Sequence, residues 1–275
     1  MLGAIAGDII GQPYEFNRNT IKTTEFPLFL PGSRFTDDTV MTLATACALM
    51  KVIPDRGQVP DKAAFAEAMI DAMHRLGHAY PKAGYGPKFA LWLSARSRTP
   101  YGSFGNGSAM RVSPVAWAFD DLANVELFAG VSAIVTHNHP EGIKGAQAAA
   151  SAIFLASSGS TKQQIKDFIT ERYGYDLTRT LDEIRPSYKF DATCQGSVPE
   201  AITAFLGGES YEDTVRKAVS LGGDSDTIAC IAGGIAEAFY GGVPETIGKE
   251  ALRRLDDDLR QIFYDWCVWI TGGDE

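Results

Sequence analysis

The chain has 275 residues, of which 45% are hydrophobic and 21% charged. That balance excludes disordered and fibrous classes and supports a sizeable core, in one large domain or two modest ones. Aspartate and glutamate number 34 against 25 lysines and arginines, for a formal net charge of −9 with no block of like charges. Such a chain fits poorly as a non-specific binder of nucleic acid or of an anionic membrane.

The N-terminal stretch Met1 to Ile10 is apolar but lacks a preceding basic region, contains Asp8 and ends at the Gly11-Gln12-Pro13 break. It does not read as a signal peptide. Gly3, Gly7 and Gly11 fall four apart, so one face of an N-terminal helix is bare backbone. Each interior glycine costs about 0.5–1 kcal/mol relative to alanine. Close helix packing, or a ligand against the backbone, would offset that cost, and packing is the expected reason. Apolar periodicity then predicts helices over 40–51, 61–76, 87–95, 124–136, 141–157, 161–173, 198–206, 211–221, 227–240 and 253–270. Loops marked by Gly and Pro separate them, among them 54–60, 101–107 and 241–244. Runs of period-2 alternation are scarce and no linker stands out. The prediction is an all-α fold with residues 1–275 forming a single domain.

Cys47, Cys194, Cys230 and Cys267 form no C-x-x-C pair, and three of them lie in apolar helical runs. A zinc cluster or disulfide framework is not expected, and a reducing cytoplasm fits best. No apolar run approaches the ~18 residues that a membrane span needs.

Two acidic clusters share one design. Thr36-Asp37-Asp38 directly precedes the apolar run from Val40, and Asp224-Ser225-Asp226-Thr227 follows Gly222-Gly223 and directly precedes Ile228. Any one of these side chains is a good helix N-cap. One cap needs one side chain, however, and each cluster supplies more. Carboxylates packed together raise one another's pKa unless a cation intervenes. Oxygen ligands without His or Cys suit Mg²⁺ or Mn²⁺ rather than zinc. If both helix starts face one cavity, they can hold two metals in a bridged site.

Three further features are weaker. The glycine-rich loop from Tyr101 to Gly107 runs into a predicted helix by Arg111, and would offer backbone N–H groups to a phosphate. It has neither P-loop nor Rossmann spacing, and a plain turn explains it equally well. Thr136-His137-Asn138-His139-Pro140 places two histidines in three residues, either lining a ligand or capping a helix. Glu15, between Tyr14 and Phe16, is either a general acid or base or a surface residue.

The ordered set GAIAGDIIGQPYEF, FTDDTVM, YGSFGNGSAMR, THNHP and GGDSDT, followed by IACIAGGIAEAFYG, resembles the ADP-ribosylglycohydrolase family, which includes ADP-ribosylarginine hydrolases and dinitrogenase reductase-activating glycohydrolases. The motifs span Gly3 to Gly242. The resemblance implies an all-α orthogonal multi-helix bundle with a binuclear Mg²⁺ or Mn²⁺ centre in a cleft. Thr36, Asp37 and Asp38 would ligate one side of the metal pair, and Asp224, Asp226 and Thr227 the other. Gly102, Ser103, Phe104, Gly105, Asn106 and Gly107 would hold diphosphate and ribose, with Met110 and His137 lining the pocket. Glu15 matches a flap glutamate and, with Asp37 and Asp226, would form the catalytic set, while Ser225 would point away from the metals.

One departure stands out: between Ala72 and Phe119 there is no Asp or Glu. The acid or base must then be Glu15, a metal-ligating aspartate or metal-bound water. The implied activity is metal-dependent removal of ADP-ribose from a modified acceptor, foremost ADP-ribosylated arginine on a protein, by cleavage of the C1″ glycosidic bond. The alternatives are a hydrolase of serine-linked or O-acyl ADP-ribose, a non-catalytic ADP-ribose-binding module, and a binuclear phosphoesterase.

Overall fold

The structure, a computed structural model, describes residues 1–15, 21–54 and 57–272 and builds them from helices. In chain order these are α1 (Leu2–Gly11), α2 (Asp37–Val52), α3 (Lys62–Ala79), α4 (Pro87–Ser94), α5 (Gly107–Met110), α6 (Ser113–Ala118), α7 (Leu122–Ile134) and α8 (Pro140–Ser157). They continue with α9 (Lys162–Tyr173), α10 (Leu181–Ile184), α11 (Cys194–Gly207), α12 (Tyr211–Val219), α13 (Ser225–Tyr240), α14 (Glu245–Arg253) and α15 (Asp257–Thr271). Among the described residues the β-type pairing is an isolated antiparallel bridge between Gly105 and Thr193. No helix is long and apolar enough to cross a membrane. Phe16, expected beside Glu15, and Asp55 and Arg56 of the 54–60 loop lie outside the described residues.

α13 is the axis of the fold. Its residues from Ser225 to Ala236 are all buried, as befits a helix with little polar surface, and it packs against α1, α8, α11 and α12. Ile5, Leu43, Phe65, Phe128, Phe205, Val215 and Ile235 join one hydrophobic cluster around it.

The glycine spacing of α1 is a packing seam. A Cβ on Gly3 would lie 2.4 Å from Gly233 O, one on Gly7 2.1 Å from Ala229 O, and one on Gly11 2.4 Å from Ser225 O. Each glycine therefore admits the α13 backbone itself, and nothing flexible is there to move aside. Gly7→Ala should lower the unfolding free energy by about 3 kcal/mol or more, the upper range for overpacking. Urea denaturation checks this, and wild-type stability would refute the seam.

Most predicted helices are present with shifted ends, each for a local reason. α2 starts ahead of Val40 because Thr36 caps it, accepting from Asp38 N at 3.3 Å. α11 starts at Cys194, ahead of the predicted 198, because Thr193 caps it by accepting from Gly196 N, and it runs through Pro199. The predicted 253–270 helix starts four residues later, as α15 at Asp257, because Asp256 caps it by accepting from Leu259 N at 3.0 Å. α14, which ends at Arg253, was not anticipated. The 101–107 loop does enter a helix, but α5 has four residues and gives way to α6 with Pro114 in its first turn.

Candidate active site

Helices α1, α2 and α13 bring their acids together. The α1–α13 seam sets Asp8, fully buried, against the start of α2, where its carboxylate accepts from Thr36 N at 2.9 Å, Thr36 Oγ1 at 2.7 Å, Thr39 N at 3.1 Å and Thr39 Oγ1. Buried Asp38 accepts from Thr227 Oγ1 at 3.3 Å through Oδ2, and its Oδ1 has no hydrogen-bond partner among the described residues. Asp37 is half-buried. Its N–H donates to Ala83 O at 2.9 Å, and Gly84, at φ +112°, passes so close that a Cβ would lie 3.2 Å from Asp37 Oδ1.

On α13, Asp226 Oδ1 accepts from Thr227 N at 2.9 Å, and Asp224 Oδ2 accepts from Asn106 Nδ2 at 2.7 Å. Gly222 and Gly223, at φ +71° and +73°, turn the chain in a way that only glycine takes readily, and so deliver Asp224 to the cluster. Ser225 instead donates to Gly11 O at 3.0 Å, on the α1 side. Half-buried Glu15 brings a carboxylate oxygen within 4.8 Å of one on Asp226.

Two groups of carboxylates result. Asp8, Asp38 and Asp226 each offer an oxygen within 4.8 Å of the others, as do Glu15, Asp224 and Asp226. Asp226 belongs to both. Among the described residues no Lys or Arg forms an ion pair with any of these acids or with Asp37. Burial, reinforced by Asp224, Asp37 and Asp8, pushes Glu15 up to about 8. Burial, with Asp8 and Asp224, pushes Asp37 up to about 7. Burial alone pushes Asp8 up to about 6, against the four hydrogen bonds from Thr36 and Thr39. Asp38 and Asp226 rise well above the usual carboxylate range, from burial first and neighbouring carboxylates second. Burial also raises Asp224, against the hydrogen bond from Asn106. Hard oxygen donors, a buried carboxylate oxygen without a partner and no balancing cation fit divalent ions of the Mg²⁺ or Mn²⁺ type.

The glycine-rich loop lies on the α11 and α13 side of this cluster. Buried Asn106 donates to Ser197 Oγ at 2.9 Å as well as to Asp224, and thereby ties loop, α11 and acid cluster together. Most of the loop's backbone N–H groups are engaged within the protein. Those of Tyr101 and Ser103 donate to Thr136 O, Gly102 to Asn138 Oδ1, Gly105 to Ser103 Oγ and Asn106 to Ala192 O. Phe104 stands 40% exposed with its ring 5.2 Å from His139, and Met110 is buried beneath the loop. Gly107 passes His137, whose Nε2 would lie 3.3 Å from a Cβ there.

Arg111 braces this side and is fully buried. It donates to Gly107 O at 3.1 Å, Ser132 O at 2.8 Å and Thr136 Oγ1 at 3.0 Å, and Thr136 Oγ1 in turn meets His137 Nδ1 at 2.7 Å. Burial first, and Arg111 second, push the His137 imidazole well below its ordinary pKa, so the ring is neutral. Asp8, Thr39 and Arg111 were not singled out from sequence. The available signal was a lone acid inside the apolar α1 and a lone base at the end of GNGSAMR.

A sequence model of the ADP-ribosylglycohydrolase family matches residues 1–270. The ADP-ribosylhydrolase ARH3 of Mus musculus is 30% identical over a 351-residue alignment that covers 96% of this chain and 91% of that one. The ARH3 of Bos taurus is likewise 30% identical, over 96% and 92%. The ADP-ribosylarginine hydrolase Tri1 of Pseudomonas putida is 26% identical over 96% of this chain and 76% of its own. A solved ADP-ribosylglycohydrolase-related protein complex shares the fold, with a TM-score of 0.70 at 24% identity over 100% of this chain and 97% of that chain. The chain belongs to the ADP-ribosylglycohydrolase family and is a hydrolase acting on glycosidic bonds of ADP-ribose.

Proposed function

We propose that residues 1–275 act as one cytoplasmic domain that removes ADP-ribose from arginine on a modified protein, in a reaction dependent on two Mg²⁺ or Mn²⁺ ions. The observation that carries this reading is the pair of carboxylate groups that share Asp226. Thr36, Asp37 and Asp38 from α2 would hold the ions from one side, and Asp224, Asp226 and Thr227 from α13 from the other. Asp8 anchors the α2 side through Thr36 and Thr39. When bound, such ions offset the clustered negative charge and act as Lewis acids toward sugar hydroxyls.

The chain's own groups supply the rest. Glu15 sits half-buried at the edge of the cluster, where burial and, in the metal-free chain, the neighbouring carboxylates favour its protonated form. It can give that proton to the leaving atom at C1″ or, once ionised, take one from the attacking water. Asp226 lies beside it, with carboxylate oxygens within 4.8 Å of each other. The remaining carboxylates stabilise the positive charge that develops at C1″ in an oxocarbenium-like transition state. With most of its backbone N–H groups engaged internally, the 102–107 loop would hold diphosphate and ribose through its shape and the Ser103 and Phe104 side chains, opposite neutral His137.

The test is incubation with arginine- and serine-linked ADP-ribosyl substrates, with and without Mg²⁺ and Mn²⁺. Intact ADP-ribose should leave the arginine-linked substrate only when metal is present. Release from the serine-linked substrate alone would reassign the linkage. Release of phosphate or nucleotide would make the protein a phosphoesterase.

A further inference from the structure

A groove of about 420 Å³ lies away from the acid cluster, between α9, α10, α11 and α12. In a chain of net charge −9, its lining carries Lys162, Lys166, Arg179, Arg185 and Lys217, with Asp182 as the lining acid. Part of that positive charge has a structural use. The carbonyl oxygens that end α11 attract two of the ammonium groups, as a helix C-terminus does. Lys162 donates to Leu206 O at 3.2 Å and to Gly208 O, and Lys217 to Gly207 O at 2.6 Å and Asp213 at 2.7 Å. Arg179 pairs with Glu200 at 2.8 Å, and Arg185 with Asp182 and Ser220.

These contacts leave donors over. An ammonium has three and a guanidinium five, and Lys166 forms no ion pair among the described residues. Asp182, Glu200 and Asp213 pair with Arg185, Arg179 and Lys217, which leaves Lys162 and Lys166 without an ion pair among the described residues, although Asp176 acts on Lys166 and Glu209 on Lys162 through space. The groove is also not isolated. Arg179 is shared with a second recess of about 270 Å³ that runs along Tyr188 to Asp191. The Tyr188 ring in turn packs under Gly223, the residue before Asp224.

We propose that this groove is an accessory site for a phosphate-bearing ligand, one recess away from the acid cluster. The phosphate can belong to a free phosphate ester or to the acceptor side of the substrate. Recognition is the same in both cases: charge-assisted hydrogen bonds from Lys166 and from the unspent donors of Arg179 and Arg185.

The test is calorimetric titration of the metal-free full chain with pyrophosphate. The wild type should bind, Lys166→Glu should weaken binding about tenfold or more, and Asp226→Asn should leave it unchanged. Arg179→Lys, which preserves a cation for Glu200, should also weaken it. No binding by the wild type, unchanged affinity in Lys166→Glu, or loss of binding in Asp226→Asn would each overturn the proposal. Comparison of phosphorylated and unphosphorylated ADP-ribosylated peptides then identifies the source. A lower KM for the phosphorylated peptide, erased by Lys166→Glu, places the phosphate on the acceptor; equal KM values place it on a free ligand. Calorimetry reads the groove without hydrolysis, so a failure of the proposed activity would not be mistaken for a failure of this site.

Discussion

Asp226→Asn should reduce ADP-ribose release about a thousandfold or more, a loss on the scale of removing a key electrostatic group from an active site, and should at the same time raise the melting temperature of the metal-free protein. Both effects have one cause. Asp226 is the oxygen donor common to the two carboxylate groups, one of which includes Glu15, so its loss disrupts both groups. In the absence of cations, however, it is a buried acid held well above its ordinary pKa by burial, Asp224, Asp38 and Glu15. An isosteric amide removes that cost and keeps an oxygen for Thr227 N. A gain of even ~1 kcal/mol corresponds to about 2–4 °C for a chain of this size. Activity assays and calorimetric melting in EDTA check the two halves. An active variant would remove Asp226 from the site, and a lower melting temperature would mean that the bare cluster is not under charge strain.

The second large effect is on pH dependence, and its sign follows from the raised carboxyls. Glu15, Asp37 and Asp8 hold protons in the folded chain up to about 8, 7 and 6, whereas ordinary values are 4.5, 3.8 and 3.8. Between about pH 4 and 8 the folded state therefore binds more protons than the unfolded state, and stability falls as pH rises. Divalent ions require the ionised carboxylates, so their binding releases protons and strengthens over the same window. In EDTA the melting temperature should decline from pH 5 to 8, while with Mg²⁺ or Mn²⁺ it should hold, so the two curves separate with rising pH. Scanning fluorimetry in both buffers measures this, and parallel curves would contradict it.

What could be read from sequence was what is local. The long helices announce themselves by apolar period, and the α2 and α13 acids by crowding several carboxylates beside one helix start. Asp8 was illegible because its meaning lies in Thr36 and Thr39, 28 and 31 residues away, and in the glycine seam that presses α1 onto α13. Arg111 depends in the same way on Ser132 and Thr136. The 101–107 loop could be found but not interpreted, since Thr136, Asn138 and Ala192, which occupy its N–H groups, arrive only through tertiary pairing. The late start of α15 shows the reverse failure: Asp256 was a visible cap signal that the apolar periodicity beginning before it obscured.

The most direct measurement is calorimetric titration of Mg²⁺ or Mn²⁺ into EDTA-stripped protein, run alongside ADP-ribose release. Two ions per chain are expected in the wild type, with binding and hydrolysis lost together in Asp226→Asn. Full hydrolysis by a chain that binds no divalent ion would contradict the shared-carboxylate site at its foundation.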